Sequence, residues 1–135
     1  PYTTLFRSGF NALSKEEIQK KQTLLIDSIG LLSSLYRYGD IAYIGGGFGK
    51  GIHNTLEPAT VGLPVIFGPN YKKFIEAVRM TEKKGAFPIN SYHELCDILL
   101  QLTDQELREK AGENNKEFVK NNIGATRIIL DHLSA

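Results

Sequence analysis

The chain carries one cysteine, Cys96, among 135 residues. A lone thiol closes no internal bridge and builds no cysteine metal cluster, so a disulfide scaffold and a zinc ribbon are both excluded. Its expected place is the buried side of a helix around Leu95 and Leu99, where it acts as a small hydrophobe in keeping with a reducing compartment. Charge of one sign is scarce too. The formal net charge is +1, from 16 basic and 15 acidic side chains, so no basic field is available to hold a nucleic acid. No apolar run approaches the roughly 18 residues that span a bilayer, and the first residues lack the charged-then-apolar order of a signal peptide. A soluble chain is expected. Internal repeats, linkers and low-complexity segments are absent as well. The remaining composition, 41% hydrophobic and 23% charged, is that of an ordinary globular domain of one core.

Short apolar runs alternate with helical patterns along the whole chain. The β-prone opening Tyr2 to Phe6 reads as a strand entering without its own turn, as in a chain cut inside a larger domain. Ser14 and Glu17 have the spacing of a capping box, which predicts a polar helix to about Gln22; a short buried strand over Leu24 to Ile26 follows. Leu31, Leu32, Leu35 and Tyr36 share one face of a helix from Gly30 to Tyr38, with Gly39 as its C-terminal cap. Strands are expected at Ile41 to Ile44, Pro64 to Phe67 and Ala86 to Ile89. Between them lie a short helix capped by Asn54 and stopped by Gly62, and a longer one from about Lys72 to Lys84 capped by Gly85. Ser91 with Glu94, and Thr103 with Glu106, predict two more capped helices, and Ile128, Ile129 and Leu133 give a last one its apolar face. This alternation predicts an α/β fold, a Rossmann-like parallel sheet flanked by helices in three layers.

Ligands of such sheets bind beyond the carboxyl ends of the strands. Two turns fall there. Five of the seven residues from Gly45 to Gly51 are glycine, and Gly68, Pro69 and Asn70 form the turn after the next strand. Glycine lets a ligand approach the main chain, and the following helix start, at His53 and Asn54, presents unpaired N–H groups to an anion. Neither familiar phosphate motif is present: Gly51 stands where a Walker A loop needs Ser or Thr, and GxGxxG is out of register. A plain strand-to-helix turn remains the bland alternative. Glu57 has two readings, a carboxylate reaching back to cap the backbone or an acceptor for a vicinal diol such as ribose. His53 is either an exposed loop residue or, protonated, a partner for phosphate. Lys50 reads as solvated. Phe48 either plugs the loop into the core or forms an apolar wall for a base or sugar. His53, His93 and His132 have no ligand spacing, so no metal site is expected, and no nucleophile constellation is seen.

The stretch IAYIGGGFGKGIHNTLEPATVGLPVIFGPNYKKFIEA resembles the nucleotide-binding half of the 3-deoxy-D-manno-octulosonic acid (Kdo) transferases, whose pattern is close to GGS, a short loop, GGHNPLEPA, then GxPVxxGP. The likeness is strongest from about Leu24 through Ile89. HN, LEPA and GLPVIFGP are specific in combination; E-x-x-x-x-G-x-P alone marks the wider GT-B-type glycosyltransferases. Gly47 stands where serine is usual, Ile52 replaces a glycine and Thr55 a proline. The resemblance implies the C-terminal half of a GT-B fold, truncated at its N-terminus, as one nucleotide-sugar-binding domain over residues 1–135. It implies an enzyme transferring Kdo from CMP-Kdo to the lipid A precursor of lipopolysaccharide, with no cofactor and no metal clamp, at the cytoplasmic face of the inner membrane. Gly46, Gly47, Phe48, His53, Asn54 and Glu57 would hold CMP-Kdo, with Glu57 on the ribose. The catalytic carboxylate and the lipid A acceptor groove would belong to an N-terminal domain, so this part alone is expected to be inactive. Its open sheet edge is expected to favour self-association. Another nucleotide-sugar transferase or epimerase preferring UDP or GDP, and a non-catalytic nucleotide-binding module, are the alternatives.

Overall fold

The computed structural model describes residues 5–7, 19, 22–26, 29–124, 130 and 132–133. They divide into two compact units, Pro1–Leu32 and Ser33–Ala135. In the first, β1 (Leu5–Arg7) and β2 (Thr23–Leu25) pair in parallel, with Leu5 opposite Thr23 and Arg7 opposite Leu25. β1 overlaps the expected strand at Leu5 and Phe6, and β2 lies one residue before the expected Leu24 to Ile26. The helix expected from Ser14 lies largely outside the described residues, as do Ile128 and Ile129 of the last one.

The second unit is built on a parallel sheet of order β3-β4-β5. Its middle strand, β4 (Val65–Phe67), is an unbroken apolar run buried at every residue, as a strand covered on both faces requires. On one side lies β3 (Ala42–Ile44), with Ala42 opposite Val65 and Ile44 opposite Phe67. On the other lies β5 (Ala86–Pro88), whose terminal proline has no N–H to donate and suits an edge. Alternation along the strands divides the core into two layers. Ala42, Ile44, Val65, Phe67 and Ala86 gather with Ala59, Ala77, Met80 and Phe118 from the helices of one face. Ile66 turns the other way, to Ile89 and Leu102, with Phe87, Leu95 and Ile98 packed around them. The helices of the first face are α2 (Leu56–Val61), α3 (Ile75–Glu82) and α5 (Gln105–Asn121); α4 (Tyr92–Gln101) lies on the second.

Several helix ends differ from the sequence expectation, each for a local reason. The helix expected over Gly30 to Tyr38 is only α1 (Leu32–Leu35) continued by a 3-10 turn at Tyr36–Tyr38. Leu31 and Leu32 are exposed, and Gly39 is extended rather than left-handed. Before α3, residues 71–73 form a turn instead of helix, and after it the left-handed residue is Lys84, at φ 58°, not Gly85. Before α5 the capping residue is Asp104, whose Oδ1 accepts from the Leu107 amide at 3.1 Å. Thr103 belongs to the preceding turn, its hydroxyl donating to the Leu100 carbonyl at 2.6 Å. Ser91 does cap α4, accepting from the Glu94 amide at 3.2 Å, while the Glu94 carboxylate reaches the Asn90 amide instead of that of Ser91.

Cys96 is exposed, contrary to expectation. Leu95 and Ile98 occupy the core-facing stripe of α4, and one residue beyond Leu95 the helix has turned by about 100° toward solvent. On the same helix His93 Nδ1 lies 3.0 Å from Asp97 Oδ2. That bond, and then the carboxylate charge, raise the imidazole pKa above its ordinary value.

The long helix α5 is attached by a side chain that the periodicity does not single out. Asn115, fully buried, donates from Nδ2 to the carbonyls of Leu63 and Gly85, both at 2.7 Å. These two carbonyls lie just before β4 and β5. One turn of helix away, Gly112 rests on the main chain of Gly62, where any side chain would collide with the Gly62 carbonyl.

Candidate functional site

Because β3 and β4 are parallel and in register, the loops that leave their carboxyl ends emerge side by side. They meet main chain to main chain. A Cβ on Gly47 would fall 2.5 Å from the Gly68 nitrogen, and one on Gly68 would fall 2.6 Å from the Gly47 carbonyl carbon. Neither position admits a side chain, which gives the glycine at each a packing reason beyond a simple turn. The loop folds on itself as well: the amides of Gly49 and Gly51 donate to the Gly46 carbonyl at 2.9 and 3.3 Å, and that of His53 to the Gly45 carbonyl at 3.1 Å.

Of the residues expected at the site, Gly46, Gly47 and Phe48 lie on this loop, and His53, Asn54 and Glu57 on the segment entering α2. Phe48 is 54% exposed with its ring edge over Gly68, so it does not plug into the core and stands as an apolar wall beside the turn. His53 is exposed, its ring against the main chain of Gly45 and Gly46. Asn54 sits one residue before the N-cap position, which Thr55 occupies. It still caps the helix start, its Oδ1 accepting from the Leu56 amide at 2.9 Å, while its Nδ2 donates to Glu57 Oε1 at 2.8 Å. Glu57 thus reaches a side-chain amide and no backbone N–H. No other hydrogen bond to its carboxylate is present among the described residues.

This geometry separates two regions of different chemistry. The six-residue α2 has little dipole to offer, its first free amide is taken by Asn54, and Glu57 adds a negative charge there. On the glycine loop Lys50 is exposed, as is Lys73, which bonds to it. Glu57, held by Asn54 through Oε1, keeps its other carboxylate oxygen without a hydrogen bond among the described residues. Tyr36, which the sequence reading took only for a core-facing residue, is close enough to feel this carboxylate: its phenol pKa is raised by burial and then by the Glu57 charge. Asn70 and Lys73 were likewise unassigned, and both bond to the glycine loop. Their partners lie more than twenty positions earlier in the chain, and no local pattern signals such a pairing.

Thr55 is 1% exposed, and its hydroxyl has no hydrogen-bond partner among the described residues. A buried unsatisfied hydroxyl costs about 1–3 kcal/mol. Thr55→Val keeps the shape and removes the polar atom, so it is expected to raise stability by about 1 kcal/mol. Urea denaturation checks this, and a midpoint lower than that of the parent chain would contradict it.

A cavity of about 730 Å³ lies away from these loops, between β5, α4 and α5, and is lined by Phe87, Pro88, Ile98, Leu107 and Ala111 among others. It contains none of the residues just described.

A parallel sheet covered by helices on both faces, with a glycine loop and an adjoining turn at its carboxyl edge, defines a three-layer, Rossmann-like α/β domain. The solved C-terminal CMP-Kdo binding domain of WaaA from Acinetobacter baumannii has this fold: it matches 87% of the chain, over 61% of its own length, with a TM-score of 0.67 at 20% identity. No protein-family profile matches. The 3-deoxy-D-manno-octulosonic acid transferase of Haemophilus influenzae is 36% identical over 94% of the chain, and that of Aquifex aeolicus 38% identical over 82%. The chain spans 30% and 31% of the lengths of these two relatives. Over most of its length the chain is similar to part of the Kdo transferases.

Proposed function

We propose that the chain is the donor-binding part of a glycosyltransferase that moves Kdo from CMP-Kdo to the lipid A precursor of lipopolysaccharide. The observation that carries this is the pairing of a rigid, cation-flanked glycine loop with a carboxylate held in place by Asn54, in a chain similar to part of the Kdo transferases. In this reading the loop at Gly46, Gly47 and Phe48 receives the phosphate of CMP, Glu57 accepts from the ribose hydroxyls, and Phe48 and His53 border the sugar. A carboxylate accepts two vicinal hydroxyls well, and backbone amides receive phosphate without needing a metal. The acceptor-binding surface and the catalytic carboxylate lie in the part of the enzyme upstream of this chain, at the cytoplasmic face of the inner membrane. The 135-residue chain therefore binds donor and transfers no sugar by itself.

Parallel calorimetric titrations with CMP, UDP and GDP test the reading. CMP is expected to bind most tightly of the three. Preference for UDP or GDP would make the chain part of a different nucleotide-sugar enzyme.

A further inference from the structure

The glycine loop is held open from one side by the turn that follows β4. The Asn70 amide donates to the Gly47 carbonyl at 3.0 Å, and Asn70 Nδ2 donates to the Gly49 carbonyl at 2.7 Å. Lys73 Nζ donates to the Lys50 carbonyl, also at 2.7 Å. The Lys73 stem passes close to Gly51, where a Cβ would lie 2.8 Å from its Cε, and its ammonium stands 5.2 Å from the centre of the Phe74 ring. Three carbonyls of one loop are thus drawn toward residues 70–73.

A trans peptide unit sets its C=O and N–H antiparallel, and no peptide bond described here is cis. When the carbonyls of Gly47, Gly49 and Lys50 face the turn, the amides of Phe48, Lys50 and Gly51 face away from it. The Gly51 amide is partly used by the Gly46 carbonyl. No acceptor among the described residues takes the amides of Phe48 and Lys50. Two unpaired donors on one side of a short loop are available to an anion.

The geometry points to Asn70 and Lys73 as positioning residues that aim the Phe48 and Lys50 amides at the nucleotide phosphate. The inference rests on the function proposed above and adds to it which donors meet the phosphate and what orients them. Lys73 acts through the Lys50 carbonyl and not as a direct phosphate ligand.

The test uses the 135-residue chain in four forms: unchanged, Asn70→Ala, Lys73→Met and Lys73→Arg. Amide hydrogen exchange at Gly49 and Gly51, whose bonds to Gly46 report loop closure, needs no ligand. Loss of one exposed strap is expected to speed this exchange about fivefold while leaving the core amides of Val65 and Met80 unchanged. CMP affinity, followed by the amide shifts of Phe48 and Lys50, is expected to fall by about the same factor, and Lys73→Arg to recover both properties. Unchanged exchange in both Asn70→Ala and Lys73→Met overturns the inference. A fall in affinity with unchanged exchange also overturns it, because Lys73 would then touch phosphate directly. Faster exchange with intact affinity overturns it as well, by separating the loop from the binding site. If the unchanged chain binds no CMP, the proposed function fails, and the exchange data alone decide whether the straps hold the loop.

Discussion

Glu57→Ala is expected to weaken CMP binding roughly ten- to a hundredfold, the equivalent of about 1.5–3 kcal/mol for lost hydrogen bonds to a charged acceptor. The expectation follows from an arrangement that uses only half of the carboxylate. Oε1 accepts from Asn54 Nδ2 at 2.8 Å, and the group has no further hydrogen bond among the described residues. Its direction is therefore set before any ligand arrives, and less side-chain freedom is lost on binding. If the carboxylate served only the helix, the substitution would alter stability and leave affinity alone. Glu57 is exposed and Asn54 Oδ1 already caps the Leu56 amide, so folding is expected to change by no more than about 0.5 kcal/mol. Titration calorimetry and urea denaturation on the same sample separate the two effects. Unaltered CMP affinity in a folded Glu57→Ala chain would remove Glu57 from the site. Glu57→Gln adds a discriminating measurement: it keeps the Asn54 contact within reach but loses the charge, so its affinity is expected to lie between those of the parent and the alanine variant.

Asn115→Ala is expected to lower stability by about 1–3 kcal/mol. The Gly85 carbonyl would keep the Val65 amide at 3.2 Å, while the buried Leu63 carbonyl would lose its donor, at about 1–3 kcal/mol. Water has no easy route to replace it, because Asn115 is fully buried and Gly112 brings α5 into main-chain contact with Gly62. The neighbouring Asn114 is the internal control. It also donates to a carbonyl, that of Lys83 at 2.8 Å, but at an exposed position, so Asn114→Ala should cost about 0.5–1 kcal/mol. A midpoint shift for Asn115→Ala no larger than that for Asn114→Ala would show that the Leu63 carbonyl is satisfied in some other way. The consequence reaches the site indirectly. Leu63 and Gly85 lead into β4 and β5, and β4 delivers the turn on which the glycine loop rests.

The resemblance to Kdo transferases, read from HN, LEPA and GLPVIFGP, agrees with relatives that are 36% and 38% identical over most of the chain. Such a motif is legible because its constraints are local. The glycines sit where two main chains touch, and the Val65–Phe67 run is apolar throughout because it is covered on both faces.

Local chemistry likewise determined the order of the strands and helices, the stop at Gly62, where φ is 85°, and the cap at Ser91. Each of these depends on residues within about four positions of one another, and a reader of the chain sees them together. The tertiary structure alone decided the rest. Cys96 faces solvent because α4 buries the stripe of Leu95 and Ile98. Asn115 finds the carbonyls of Leu63 and Gly85, and Lys73 that of Lys50, only when segments distant in sequence are packed together. A hydrogen bond is directional and short, so which distant donor meets which carbonyl is settled by the relative placement of whole elements, and no pattern of neighbouring residues encodes that placement.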